Sequence, residues 1–463
     1  MSRVEIIVDG RTVSAEADAL LIEVLLKNGI EIPYFCYHEA LGPDGNCRMC
    51  MVEIEGQKRP QIACDTLVRA GMSVRTKGEN IDAVRRNILE LELLNHPVDC
   101  PICDQAGECK LQDFYMDYGL HDAKIEKREK VTHRKHVDLG ANVMLDQERC
   151  VLCARCTRFT SEITKTHELG IIGRGDHARV STMPGRSLEN PYAMNVIDLC
   201  PVGALTSKDF RFHQRVWFLT STPSVCHGCA AGCNIWVDHN REKYKDDRIY
   251  RFRPRVNREV NGWFICDAGR LSYEALQENR RLDMLLNKEA CDEVRALEYF
   301  RDALKRHKGA VTILVDADRY SEEMEAVKVF AERHGAALYC PAASYDDPAF
   351  GDDWLRSSCR AANLGGAEKL GIERTLPDAL ETGLLINVNH PDGAKFKAEM
   401  RIELQTHVGR DADLILPLAV FTECAGTLVN EQGVAQFCPQ AVHRNRPIPS
   451  AVEWVERLEE APL

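Results

Sequence analysis

At 463 residues the chain is about three times the usual domain length, so several cores in series are expected. Its 71 acidic residues outnumber 59 basic ones, for a formal net charge of −12, and no basic domain stands out, which argues against nucleic acid as a partner. The start MSRVEIIVDGR has no apolar signal core and no stretch approaches the roughly 18 apolar residues of a membrane span, so a soluble chain in the reducing cytosol is expected.

Residues 1–78 open with alternating Val4, Ile6 and Val8 and a DG pair at Asp9 and Gly10, the pattern of a strand and hairpin. A helix is expected over about 17–28, with Leu21, Val24 and Leu25 on one face and Gly29 ending it in the left-handed conformation. A β-grasp ferredoxin begins this way. Cys36 and the run GPDGNCRMC then place three cysteines in a loop, with Cys64 returning after the strand MVEIEG. Plant-type ferredoxins space theirs C-x4-C-x2-C with a distant fourth, whereas Cys36, Cys47, Cys50 and Cys64 have a longer first gap.

A second helix is expected over about 79–95, with Ile81, Val84, Ile88 and Leu91 on its apolar face and Pro97 beyond its end. HPVDCPICDQAGEC follows, within a segment assigned to 79–120. Its Cys100, Cys103 and Cys109 are one ligand short of a four-iron cubane, and His96 is the best candidate for the fourth. Imidazole replaces cysteine in Rieske centres, while a histidine at a helix exit is also an ordinary surface cap.

The segment 140–215 carries Cys150, Cys153 and Cys156, then Cys200 followed by Pro201. Two-cluster ferredoxins use C-x2-C-x2-C-x3-C-P twice, the last cysteine of each run completing the other cluster. Thr160 stands where a fourth cysteine would follow the triplet, so one full ligand set remains. Gly170, Gly173 and Gly175 give a bare GxG without a strand-to-helix frame, which reads as a loop.

The segment 219–275 holds CHGCAAGC and GWFICDAGR, hence Cys226, Cys229, Cys233 and Cys266. Four thiolates hold either zinc or a cluster. Residues 276–463 have another character: VTILVDAD, a helix from about Glu322 to His334 and AALYCP form a strand, helix, strand unit, with GLLINVN and ADLILPLAVF as further buried strands. Cys291, Cys340, Cys359, Cys424 and Cys438 lack ligand spacing and read as buried free thiols. The basic stretches AKIEKREKVTHRKH and REKYKDDRIYRFRPR read as solvated faces or docking sites for a partner.

HPVDCPICDQAGECKLQ, LDQERCVLCARCTRF, DLCPVGALTSKDF and CHGCAAGC together resemble the large iron–sulfur subunit family of bacterial NADH:quinone oxidoreductase, respiratory complex I, over residues 1 to about 275. The resemblance implies a [2Fe-2S] cluster on Cys36, Cys47, Cys50 and Cys64. It implies [4Fe-4S] clusters on His96, Cys100, Cys103 and Cys109, on Cys150, Cys153, Cys156 and Cys200, and on Cys226, Cys229, Cys233 and Cys266, the last off the main electron path. ADLILPLAVFTECAGTLVNEQGVAQ looks like a retained piece of the family's molybdopterin-oxidoreductase-like domain, too short here for a cofactor cleft, so molybdopterin is not expected.

The fold class implied is α+β multidomain: a β-grasp [2Fe-2S] ferredoxin domain, a helical cluster domain with one histidine and three cysteine ligands, a ferredoxin-like [4Fe-4S] domain and a truncated α/β molybdopterin-oxidoreductase-like domain. No flavin or nicotinamide motif and no acid, base or nucleophile set is recognisable, so an electron relay without a substrate site of its own is expected. By the resemblance its partners are a flavin/NADH-binding subunit and other iron–sulfur subunits of a peripheral arm, with the membrane arm reached indirectly, on the cytoplasmic face of a bacterial inner membrane. Two other readings stand beside it: a diaphorase-type subunit of an NAD-linked hydrogenase or formate dehydrogenase, and a zinc-stabilised scaffold.

Overall fold

The computed structural model describes residues 3–240, 248–377, 381–444 and 447–460, so the first half of the second basic stretch lies outside the described residues. The chain divides into two compact units, Met1–Trp217 and Phe218–Leu463.

The first unit opens with β1 (Arg3–Val8) and β2 (Arg11–Glu16), paired antiparallel. Asp9 and Gly10 both take positive φ, 49° and 80°, as a two-residue hairpin turn requires. Helix α1 (Leu21–Lys27) starts later than the sequence pattern indicates, because Asp18 is left-handed and Leu20 extended. It buries Leu21, Ile22, Val24 and Leu25 against β3 (Met51–Ile54), β4 (Gln61–Ile62) and β5 (Ser73–Arg75), in a five-stranded sheet of order β2-β1-β5-β3-β4.

Helix α2 (Glu79–Asn95) has the expected span but a different inner face. Ile81, Arg85 and Leu89 are buried, whereas Leu91 is 68% exposed. Arg85 can lie inside because its guanidinium donates to the Thr76 and Met51 carbonyls at 3.0 and 2.8 Å, which rotates the buried row to i, i+4, i+8. Helix α3 (Lys110–Asp117) follows.

Next come β6 (Val137–Asp138), β7 (Val143–Leu145), α4 (Arg155–Arg158), β8 (Leu169–Ile172), β9 (Arg179–Thr182), α5 (Asn195–Leu199) and β10 (Leu205–Ser207). The glycine-rich segment read as a loop is a hairpin instead. β8 and β9 pair antiparallel with Gly170 inside a strand, because Leu169 and Val180 bury on one side and only the Gly173–Gly175 end turns.

The second unit begins with an antiparallel sheet of β11 (Leu219–Val225), β12 (Asn234–Asn240) and β13 (Ile249–Pro254), closed by α6 (Asp267–Gln277). Its larger part is β14 (Leu285–Leu286), β15 (Glu289–Ala290), α7 (Glu293–Arg306), β16 (Val311–Val315), α8 (Ser321–His334), β17 (Ala337–Tyr339), α9 (Leu364–Lys369), β18 (Glu381–Val388), β19 (Lys397–Gln405), β20 (Leu414–Pro417), β21 (Gly426–Val429), β22 (Ala435–Cys438) and α10 (Ala451–Glu459). Seven strands form one sheet of order β15-β14-β20-β19-β18-β16-β17, parallel from β20 to β17. All five residues of β16 and all four of β20 are buried, as strands covered on both faces must be. Of the five scattered cysteines, Cys340, Cys424 and Cys438 are buried, but Cys291 and Cys359 are half-buried, at a strand end and in a loop.

Candidate iron–sulfur sites

All twenty cysteines are free thiols. In the first set Cys36 follows the loop after α1, Cys47 and Cys50 precede β3, and Cys64 sits in the short turn Ala63–Asp65; all four are buried. The Cys36 and Cys47 sulfurs are 3.3 Å apart. Hydrogen bonds from the Cys47 and Cys64 thiols hold Cys36 as a thiolate, down at about 2, and push the pKa values of those two donors up. Cys50 is lowered in the same way by Cys64. Four sulfurs crowded together and sharing protons are a donor set that a metal would complete by displacing those protons.

In the second set His96 caps the C-terminus of α2, Cys100 opens a short turn and Cys109 caps the N-terminus of α3. His96, Cys100, Cys103 and Cys109 line one cavity. Burial pushes Cys109 up to about 12 and pulls the His96 imidazole down to about 4, so the ring is neutral, the form that binds a metal. The Val98 amide donates to His96 Nδ1 at 3.1 Å, so in this arrangement the neutral ring carries its proton on Nε2. Lys130 Nζ donates to the His96 and Leu93 carbonyls at 2.6 and 3.2 Å, so this member of the first basic stretch is a helix cap.

The third set brings Cys150, Cys153 and Cys156, at the start of α4, to Cys200 at the end of α5 around a second cavity. Leu152 and Ala154, between the cysteines, take left-handed φ of 48° and 60°, strain that a loop stores when it must aim amides inward. The amides of Val202, Leu205 and Ala204 point at the Cys200 sulfur. Burial raises all four thiols, Cys153 to about 12.

The fourth set, in the second unit, lies between β11 and β12 with Cys266 capping α6, its sulfur accepting from the Gly269 amide at 3.3 Å. Gly228 donates to the Cys226 sulfur, also at 3.3 Å. A Cβ on Gly269 would stand 2.9 Å from the Cys226 sulfur and 3.3 Å from that of Cys266, so only glycine fits there. His227, inside the motif, stacks on Phe421 at 3.8 Å.

Among the described residues no three His, Cys, Asp or Glu side chains close round a point that a single ion would fill. Glycines lie directly against sulfur: a Cβ on Gly203 would overlap the Cys103 sulfur, and one on Gly269 would crowd two sulfurs of the fourth set. Buried thiols, a neutral imidazole and glycines against sulfur fit cluster ligation.

The sets of the first unit are in contact through their loops. Asn46 Nδ2, beside Cys47, donates to the Leu152 carbonyl at 3.3 Å. The Lys110 amide, next to Cys109, donates to the Pro201 carbonyl at 3.1 Å. Cys153 feels the charge of Cys36, and Cys109 that of Cys200. The third set therefore touches both the first and the second, which also meet each other where Lys110 lies over the Tyr34 ring. Arg215 reaches back to the second set, donating to the carbonyls of Cys103, Cys100 and Pro101 at 2.7, 3.3 and 2.5 Å. Sequence reasoning missed Arg215, Gly203 and Gly269; the two glycines each stand three residues after a set cysteine, Cys200 and Cys266, and that spacing could have pointed to them.

Four families match in series: a 2Fe-2S iron–sulfur cluster binding domain over 1–79, an NADH-ubiquinone oxidoreductase-G iron–sulfur binding region over 85–124, the ferredoxin-like domain of NADH-quinone oxidoreductase subunit 3 over 140–206, and a molybdopterin oxidoreductase Fe4S4 domain over 219–278. They define a multidomain iron–sulfur protein with both 2Fe-2S and 4Fe-4S binding domains. The chain is 38% identical over 336 residues to the NADH-quinone oxidoreductase G subunit of Streptomyces coelicolor, covering 71% of this chain and 39% of that protein. It is 35% identical over 343 residues to the G subunit of Rickettsia bellii (73% and 49%) and 40% identical over 277 residues to the NADH-ubiquinone oxidoreductase 75 kDa subunit of Reclinomonas americana (60% and 39%). The chain is thus homologous to the G subunit of NADH-quinone oxidoreductase, and it spans less than half the length of these relatives. A solved NAD+-reducing [NiFe]-hydrogenase chain aligns with a TM-score of 0.41 and 29% identity, covering 46% of this chain and 91% of that one.

Proposed function

We propose that the chain is an electron-relay subunit of an NADH:quinone oxidoreductase, working in the order first set, third set, second set. The observation that supports this reading is that the loops of Cys150, Cys153, Cys156 and Cys200 contact those of both other sets of the first unit. Cys36, Cys47, Cys50 and Cys64 hold a [2Fe-2S] cluster; His96 with Cys100, Cys103 and Cys109, the third set, and Cys226 with Cys229, Cys233 and Cys266 each hold a [4Fe-4S] cluster. A bound cluster supplies one-electron redox chemistry. The chain's own part is to give up thiol protons, exclude water, and aim backbone amides at sulfur, which favours the reduced, more negative state.

The segments 1–78, 79–120, 140–215 and 219–275 are the four cluster domains, the first a β-grasp, and 276–463 is a molybdopterin-oxidoreductase-like α/β domain. Electrons enter from a flavin subunit that oxidises NADH and leave to other iron–sulfur subunits towards quinone. Among the described residues no helix is long and apolar enough to cross a membrane, and the reading places the chain on the cytoplasmic face of a bacterial membrane through its partners.

Metal and sulfide analysis of anaerobically purified protein tests the assignment. One [2Fe-2S] and three [4Fe-4S] clusters require about 14 irons and about 14 sulfides per chain. About 10 irons with one zinc would make the fourth set a structural zinc site, and zinc without sulfide would end the relay reading. Nickel in the purified complex would assign the relay to a hydrogenase instead.

A further inference from the structure

Two arginines in the third set's loop each reach a neighbouring set, and they differ in how their charge is met. Arg149, before Cys150, is bonded at two points to Asp99 and lies 3.3 Å from Asp146, so its charge is neutralised. Arg155, before Cys156, is only 4% exposed, and its bonds go to neutral groups: the Leu199 carbonyl at 3.0 Å, next to Cys200, and the Tyr37 carbonyl, next to Cys36. Its Nε is buried without a partner. The Tyr34 ring beneath it takes a second cation, Lys110 Nζ, 3.7 Å from the ring centroid.

We propose that Arg155 is a positioning residue that raises the reduction potentials of the first and third sites together, by fixing one unneutralised positive charge between the loops that carry them. The inference rests on the cluster assignment above. Adding an electron to either site adds a negative charge beside a guanidinium that stays protonated at any working pH, in surroundings where water screens little. Carbonyl dipoles satisfy part of the guanidinium's hydrogen bonding without cancelling its charge. Because one rigid fork grips both loops, the stabilisation is shared, so an electron passing from one site to the other crosses between potentials that move in step. Electrostatically, Arg155 also favours the thiolates of Cys153 and Cys200.

The test is an EPR-monitored redox titration of the full chain with dithionite, which supplies one electron per site with no bond made or broken. At the potential that half-reduces each wild-type site, Arg155→Met is expected to lower the reduced-to-oxidised ratio of the first and third sites about ten-fold, a 59 mV shift for a one-electron couple. The second site, whose loops Arg155 does not bond, is expected to move less than about three-fold. Arg155→Lys, which keeps the charge, should restore most of the loss. Arg155→Gln, an uncharged amide donor, carries the same expectation if the methionine variant does not assemble.

Arg158 separates charge from grip. It also holds the first set's loop, through the Leu41 and Gly42 carbonyls, but its charge is paired with Glu162 at 2.9 Å. Arg158→Met should leave both potentials in place. Unmoved potentials in Arg155→Met with all signals present would overturn the proposal, as would an equal shift in Arg158→Met or at every site alike. Failure of the cluster assignment looks different: wild-type protein would then lack the signals and the sulfide altogether.

Discussion

Arg149 and Asp99 form a two-point ion pair, Nε to Oδ1 at 2.9 Å and NH2 to Oδ2 at 2.7 Å, with side chains 5% and 18% exposed. Each partner directly precedes a cysteine of its set, Cys150 and Cys100, so the pair sets the distance between the third and second sets. Lys135, from the first basic stretch, joins at 3.1 Å from Asp99 and 2.7 Å from Glu148, which makes that stretch part of the site's frame.

Removing one member strands a buried charge. Arg149→Met is expected to destabilise this region by about 3–5 kcal/mol, because Lys135 alone cannot replace a bidentate partner. Cluster absorbance followed through urea unfolding should show the second and third sites bleaching at lower denaturant than the fourth. Unchanged, simultaneous bleaching would count against the pair as a spacer.

Gly203→Ala and Gly269→Ala should each empty one site. The added methyl group overlaps the Cys103 sulfur in the first case and stands 2.9 Å from that of Cys226 in the second. Each variant is expected to lose about four irons and one EPR signal, and a different signal in each. Loss of the same signal from both, or of none, would show that these glycines are not cluster cradles.

Local spacing made the four cysteine groups legible, because C-x2-C pairs in tight loops need no distant contact to be recognised. Arg215 lies more than a hundred residues from the carbonyls it binds, and nothing in RFHQRVW marks it for that task. The inner face of α2 is hidden in the sequence because a buried arginine with two carbonyl partners looks polar there. In the second unit β16 and β18 announce themselves as apolar runs. β19 does not, because it buries Glu403 and Gln405, the first held by Asn387 at 2.7 Å and Arg410 at 3.3 Å.

His96→Cys tests the histidine without deleting a ligand. A thiolate brings a negative charge where the neutral imidazole brings none, so the second site should become harder to reduce. At the wild-type midpoint its reduced-to-oxidised ratio should fall at least about ten-fold, equal to 59 mV, while iron content holds. His96→Ala should instead lower the iron content. If both variants keep the wild-type potential and full iron, His96 is only a helix cap.

Asp238 gives the second unit a defined acid sensitivity. Its side chain is 1% exposed on β12 and accepts from Arg251 Nε and Arg253 Nε at 2.7 Å each and from Ser221 Oγ at 2.6 Å. Burial alone would raise its pKa, but Arg251 and Arg253 with Ser221 more than reverse this, so the folded value lies below the ordinary 3.8. A carboxylate depressed on folding contributes its stability in full above the unfolded value and loses it as pH falls through the folded one. The contribution should therefore be complete at pH 7 and decay below about pH 4. Asp238→Asn should cost about 1.5–3 kcal/mol at neutral pH, since two half-buried guanidinium groups lose a charged hydrogen-bond acceptor. Circular dichroism melts of the full chain at pH 7 and near pH 3 check both points: the wild-type transition of this unit should drop towards the variant's as pH falls, and parallel curves would mean the arginines are neutralised elsewhere.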